Sequence, residues 1–438
     1  MEFAVDGAWL ITPEYKVISD ARVIVEDGKI VYAGPRDSSE ASLSGHDRIY
    51  YPKGLIAPGF INGHTHIGET LVRGLCDDVT FQEWLYDHIW KVEPRMTADD
   101  CYWGTLLGCA EMISGGSIGF IDQYFYADKI ASAVNEAGLK AFLFPSIFEP
   151  TPETKTMEEA FSKAIDVHKK WHGKDDRIFV GFGPHAPFTV DKDWLMKIVE
   201  KAILLETGIH IHLNETQQEV DDALQNWNCS PIEYCNKFGI LDGLTLGAHC
   251  VHVTDKDMQI LKEKEVSVLH CPQSNLKLAN GIAPVEKMDE NGINVCVGTD
   301  GQASNNNLDM LEELSFCAMV HKMDAKDPTV ISAATALRFG TANPARIFPN
   351  NVAAGVIEEG VPADFVVYDM WRPNGVPMIH PLSNLIYSIS SRNVVLTVCN
   401  GRILYQDGEY KTLKIEDVLT SCQKISERMV EEGFKEGL

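Results

Sequence analysis

Apolar and polar positions alternate along "VISDARVIVEDGKIVYAGPR", residues 17–36, and the turn formers "EDGK" and "AGPR" interrupt the alternation. A period of two broken by Gly, Asp and Pro predicts half-buried strands joined by tight turns. The same texture returns near the other end in "ADFVVYDM" and "NVVLTVCNGRILYQDGEYK", with an "NG" and a "DG" turn. Both ends are expected to build one small discontinuous β-sandwich, from residues 1–56 and 351–413, with everything else inserted between them. Residues 414–438 have helical spacing and alternating charge, which predicts a C-terminal helix. The insert has a different rhythm. Eight short apolar runs recur: "LIAPGFINGHTH", "SIGFIDQY", "KAFLFPS", "IFVGFGPH", "GIHIHLNE", "LTLGAHCVH", "VSVLHCPQS" and "INVCVGTDG". Helical patterns such as "CYWGTLLGCAEMIS", "KDWLMKIVEKAILLE" and "DKDMQILKEK" lie between most of them. Eight strand–helix alternations predict an α/β fold, a (β/α)8 TIM barrel over residues 57–350.

Composition narrows the partners. The 438 residues, 45% of them hydrophobic, suffice for a barrel and a second domain. A formal charge of −25 argues against nucleic acid and against an anionic membrane surface, both of which need a basic footprint. No apolar run reaches membrane-spanning length. The opening "MEFAVDGAWLITPEY" lacks the basic-then-apolar pattern of a secretory signal. Eleven cysteines show no CxxC pair, which fits reduced, buried thiols and a cytoplasmic protein.

Candidate chemistry collects where the apolar runs end. In a (β/α)8 barrel the active site lies at the C-terminal ends of the strands. The first run ends in His64 and His66, two residues apart and so on one face of a strand. The fourth ends in His185, the fifth in His212 with Glu215 three residues on, the sixth in His249, and the eighth in Asp300; the seventh carries His270. Fourteen histidines scattered at random would not gather at strand ends, so one shared metal site is expected. His210 shares a face with His212 but lies about 6.6 Å back along the strand, a layer deeper. His249 ends its run and is preferred to His252, which falls in the loop. His270 either lines the site or is a core histidine. Three histidines and one carboxylate suit Zn2+, one per subunit, and Fe2+ is not excluded by ligand type. Such an ion brings the pKa of a bound water to about 7. Glu215, three residues past a ligand, is then suited to carrying protons.

The motifs "PGFINGHTH", "HLNET", "AHCVH", "HCPQSNLKLANGIAPV" and "GTDGQASNN" resemble the amidohydrolase superfamily over nearly the whole chain. Within it they are similar to the methylthioadenosine/S-adenosylhomocysteine deaminases and 5'-deoxyadenosine deaminases. The resemblance implies a mononuclear site with His64, His66, His212 and Asp300 as ligands. It implies Glu215 as proton carrier to the purine N1, His249 as holder of the attacking water, and Asp300 as a second proton acceptor. Strand four, "IFVGFGPHAPF", offers no lysine for a bridged pair of metals. Trp84, Glu93 and His185 match substrate contacts, Glu93 being suited to a ribose diol; ordinary helix packing for Trp84 and a solvated acid for Glu93 are the alternatives. Homocysteine-accepting relatives grip the substrate carboxylate with arginines, yet no arginine occurs here between Arg95 and Arg177. Lys155 offers a point charge without bidentate geometry. The expected reaction is hydrolytic deamination of adenine nucleosides with a modified 5' position to the inosine-type product and ammonia; the missing arginines favour a neutral group, as in 5'-deoxyadenosine, 5'-methylthioadenosine or adenosine itself, and S-adenosylhomocysteine stays as an open alternative. The rival expectation is another ring in the same superfamily: guanine, a pterin, cytosine or an s-triazine. A homo-oligomer is the expected assembly, from which a neighbouring subunit could bring an arginine.

Overall fold

The structure, a computed structural model, describes residues 2–41, 45–80, 82–349 and 352–435. The expected 350/351 boundary and the last three residues of the expected C-terminal helix lie outside the described residues. The alternating segments at both ends form one eight-stranded sheet. Its N-terminal strands are Phe3–Ile11, Val17–Glu26, Lys29–Pro35 and Asp47–Pro58, and its C-terminal strands are Phe365–Asp369, Val394–Cys399, Arg402–Gln406 and Glu409–Tyr410. The join is antiparallel, with Ile56 opposite Val367 and Pro58 opposite Phe365. Only the pairing of Phe3–Ile11 with Asp47–Pro58 is parallel. Inward residues from both ends, among them Val5, Val23, Val25, Ile56, Phe365, Val367 and Leu396, pack into one cluster. Burying a period-two face is what fixes this register across a gap of some 300 residues of chain.

The eight apolar runs of the insert supply parallel strands in two sheets, although residues 55–58, which open the first run, still belong to the flanking strand Asp47–Pro58. One holds Phe60–Thr65, Ser117–Tyr124, Lys140–Ile147 and Ile178–Val180, with the short strand Gly183–Pro184 also on Lys140–Ile147. The other holds Ile209–Leu213, Thr245–His249, Ser267–His270 and Val295–Val297. The fourth run, expected as a single strand, is thus broken at Gly181–Phe182. Backbone hydrogen bonds continue across both gaps between the sheets. The His210 N–H donates to Phe182 O at 3.1 Å and the His212 N–H to His185 O at 2.9 Å, while the Asp300 N–H donates to His64 O at 2.9 Å. Strand residues here are buried on both faces, as parallel strands covered by helices require. The C-terminal helix runs Ile415–Lys435, and no helix among the described residues is long and apolar enough to cross a membrane.

One ion pair ties the insert to the flanking sheet. Lys140 begins a parallel strand, is fully buried, and pairs with Asp364, whose other oxygen accepts the Asn400 N–H at 2.8 Å. Removing one partner would strand a buried charge. Asp364→Ala is expected to lower unfolding free energy by about 3–5 kcal/mol, read by urea titration. Lys140→Met/Asp364→Leu, which removes both charges, should recover most of that loss.

Candidate active site

His64 and His66 project from Phe60–Thr65 and the turn after it, His212 from Ile209–Leu213, and His249 from the last position of Thr245–His249. Asp300 follows Val295–Val297. His249 and Asp300 both adopt left-handed backbone, with φ of 67° and 65°. Such conformations are uncommon outside glycine and cluster at functional sites. The side chains converge. Nε2 of His64 and Nε2 of His66 each lie 3.3 Å from Oδ1 of Asp300. Two overlapping triads, His64/His66/Asp300 and His64/His212/His249, each bring their ligand atoms within 4.8 Å of one another.

Three of these imidazoles have a hydrogen-bond partner on Nδ1: Gln123 O for His66 at 2.6 Å, His185 O for His212 at 2.9 Å, and Asn275 Oδ1 for His249 at 3.0 Å. An Nδ1–H donated to an oxygen leaves the Nε2 lone pair free for an ion. His64 is fully buried; its Nδ1 has no hydrogen-bond partner, and its Nε2 faces the Asp300 carboxylate at 3.3 Å. A buried polar group in that state needs a partner, and a cation supplies one. Burial holds His64 down at about 4 and drives His212 well below its ordinary value, so both stay neutral. An N···O separation of 3.3 Å also matches the edge of a tetrahedron with bonds of about 2.0–2.1 Å. The residues fit a divalent ion.

Around this centre the sequence candidates share one pocket. His66, Trp84, Glu93, His185, His212, Glu215, His249 and Asp300 all line it. Glu215 accepts from Asn280 Nδ2 at 3.0 Å and sits 3.8 Å from His249 Nε2. Burial raises its pKa, with the His249 charge opposing. Glu93 is buried and accepts the Tyr124 hydroxyl at 2.6 Å; burial pushes its carboxyl up to about 7 against that bond. Trp84 Nε1 donates to Ala303 O at 3.0 Å, and His185 Nδ1 meets Thr189 Oγ1 at 3.0 Å. The remaining histidines sort by geometry. His210 does not line the pocket and packs its ring on His64 and Phe144. His252 Nε2 bonds Asn280 O at 2.6 Å, steadying the residue that holds Glu215. His270 is a core histidine, its Nε2 3.0 Å from His321 Nε2 and away from the pocket.

Several residues that hold these side chains carry no signal in the sequence. Ser274 and Ser304 donate to Asp300 Oδ2 at 2.6 and 3.0 Å, leaving Oδ1 for the histidine side. Asn275 and Asn280 stand in "HCPQSNLKLAN", and Ser304 in "GTDGQASNN". Both segments carry the family motifs, but polar residues in loops have no periodicity that says what they face. Phe148 and Phe188 also line the pocket.

Imidazoles and a carboxylate gathered at the C-terminal ends of parallel strands are the kind of site in which metal-dependent hydrolases hold a divalent ion. The amidohydrolase family model matches residues 55–404, and the chain belongs to that family. It is 43% identical over 391 residues to a 5-methylthioadenosine/S-adenosylhomocysteine deaminase of Dictyoglomus thermophilum, covering 88% of this chain and 90% of that protein. It is 39% identical over 399 residues to a 5'-deoxyadenosine deaminase of Methanothermobacter thermautotrophicus, covering 91% and 92%. Among solved structures, a zinc-bound adenosine deaminase from Xanthomonas campestris superposes with a TM-score of 0.94 at 31% identity, covering 98% of each chain.

Proposed function

We propose that this protein hydrolytically deaminates adenine nucleosides carrying a small neutral 5' group, such as 5'-deoxyadenosine and 5'-methylthioadenosine, to the inosine-type product and ammonia. The observation that carries the reading is that Glu93, His185 and Trp84 line the same pocket as the ligand cluster and Glu215. His64, His66, His212 and Asp300 would hold one ion, Zn2+ before Fe2+. Bound there, the ion supplies Lewis acidity and lowers the pKa of a water. His249, held by Asn275, orients the attacking water. Glu215, held by Asn280, moves a proton from that water to the purine N1. The water oxygen bonds C6, Asp300 passes the second proton to the amino group, and the C6–N bond breaks as ammonia leaves. Glu93 accepts from the ribose hydroxyls, and His185 and Trp84 frame the purine.

The pocket argues on the 5' group. No lysine or arginine is among its lining residues, and Phe148, Phe188, Tyr86 and Trp90 are. An apolar wall without a cation accepts a methyl or methylthio group and leaves a homocysteine carboxylate unpaired. An ultraviolet assay of 5'-deoxyadenosine, methylthioadenosine, adenosine, S-adenosylhomocysteine and adenine tests this. The neutral nucleosides should exceed S-adenosylhomocysteine in kcat/KM by about tenfold or more, the cost of one buried unpaired charge-assisted bond. Adenine should turn over poorly. If adenine equals the nucleosides and Glu93→Ala changes nothing, the reading moves to guanine, pterins, cytosine or s-triazines.

The rest of the architecture follows the same reading. The hydrogen bonds across both sheet gaps support closure into a (β/α)8 barrel over residues 57–350. The Ile30 N–H donates to Val361 O and the Ala363 N–H to Gly28 O, each at 2.9 Å. These bonds bring Lys29–Pro35, an edge strand, back towards the middle of the sheet, which supports a two-layered sandwich from residues 1–56 and 351–413. The helix Ile415–Lys435 packs on the helix Ala98–Gly115 of the barrel. A cytoplasmic homo-oligomer completes the proposal.

A further inference from the structure

The mechanism leaves one buried acid of the pocket without a task. Glu69 follows His66 by three residues, on the short helical turn Ile67–Val72, and its backbone N–H caps His66 O at 2.9 Å. It is only 6% exposed, yet it lines the pocket beside Glu93, Tyr124, Asp300 and Ser304. The carboxyl is pressed against the loop after Asp300. A Cβ added to Gly301 would fall 1.7 Å from Glu69 Oε2, so the glycine there leaves room for this oxygen. Gly68 does the same for the Tyr124 ring, whose Cε1 would lie 2.1 Å from an added Cβ. Glu69, Tyr124 and Glu93 thus form one wall.

That wall is rich in unused acceptors. Among the described residues Glu69 takes a hydrogen bond from the Ala303 N–H, and Glu93 takes one from the Tyr124 hydroxyl at 2.6 Å. A carboxyl has roughly four lone-pair sites, and no lysine or arginine lines the pocket to fill them. Two such acids side by side favour a ligand with two hydrogen-bond donors on adjacent atoms. Burial, and then the Glu93 charge, raise the Glu69 pKa well above the carboxylate range. Hydroxyls on neighbouring carbons, each with a proton to donate, suit two such acceptors.

We propose that Glu69 is a second sugar-reading residue, and that Glu69 and Glu93 divide the 2'- and 3'-hydroxyls of the nucleoside between them. This rests on the nucleoside reading above and assigns specificity for a vicinal diol to two carboxyls rather than one.

The test compares kcat/KM for 5'-deoxyadenosine, 2',5'-dideoxyadenosine and 3',5'-dideoxyadenosine in the metal-loaded parent, Glu69→Leu and Glu69→Gln. Glu69→Leu keeps the volume and removes the acceptor; it should lower kcat/KM for the diol substrate about tenfold, mainly through KM. The loss should shrink to within about twofold for one of the two monodeoxy substrates and persist for the other. Glu93→Leu should show the opposite preference. Glu69→Gln, the same size with an amide for the carboxyl, should follow the same pattern more weakly, and decides the matter if the leucine variant does not fold. An equal loss on all three substrates would make Glu69 a support for the Asp300 loop and overturn the proposal, as would no loss on any. If the parent does not deaminate 5'-deoxyadenosine at all, the nucleoside reading falls first and this inference with it.

Discussion

Glu215→Gln is expected to lower kcat by about 10³-fold, within the range that a positioned acid–base group contributes, while metal content and KM stay near parent values. The substitution is nearly isosteric. Its amide oxygen can still accept from Asn280 Nδ2, which bonds the parent carboxyl at 3.0 Å, so the loop after His212 keeps its anchor. Glu215 stands outside the proposed ligand set, so the ion remains. What is lost is a group that can both take and give a proton next to the purine. The position suits that work. The side chain is 17% exposed at the pocket, and Glu219 accepts both the Asn214 and Glu215 N–H groups, at 3.3 and 2.8 Å, which fixes the turn that aims it. Single-turnover and steady-state rates on 5'-deoxyadenosine, with metal measured by mass spectrometry, give the answer. Parent-level turnover in a metal-replete Gln variant would reject the proton route assigned to Glu215.

Stripping the metal is expected to remove activity about as completely. Lewis acidity is worth several kcal/mol of transition-state stabilisation, and at about 1.4 kcal/mol per tenfold that is on the order of 10³-fold or more. Chelated protein should regain full rate with one equivalent of Zn2+ per chain. His64→Asn should retain less than about a tenth of an equivalent, because His64 belongs to both triads and its Nε2 faces Asp300 Oδ1, another member of the proposed ligand set, at 3.3 Å. A requirement for two equivalents would contradict a mononuclear site. The fourth run carries no lysine, and Lys140, buried at the start of the third parallel strand, is engaged by Asp364. Undiminished activity after chelation, with metal shown to be gone, would refute the site itself.

The pocket's design divides along the same line as its predictability. His64, His66, His212, His249 and Asp300 could be found from the one-dimensional pattern because each closes an apolar run, and parallel strands present their C-terminal ends together. The discontinuous sheet was also readable, since a period of two survives at both ends of the chain and an exposed apolar face must be covered. The choice of His212 over His210 and of His249 over His252 followed from strand rise and alternation alone.

The partners of those residues were not readable. Ser274 and Asp300 are 26 residues apart, Asn280 and Glu215 are 65, and Trp84 and Ala303 are 219. Such pairings depend on which loops meet above the strands, and loop polar residues have no periodicity to report it. His270 was equally suited to pocket or core until His321 was seen to face it. Glu69 stands in "GHTHIGE" beside two candidate ligands and carries no signal, because nothing in a helical turn says that its acid is buried against Gly301. Local pattern follows from backbone geometry and burial, which repeat along the chain. The orientation of a carboxyl or an amide follows from contacts made once, between segments that only the folded chain brings together.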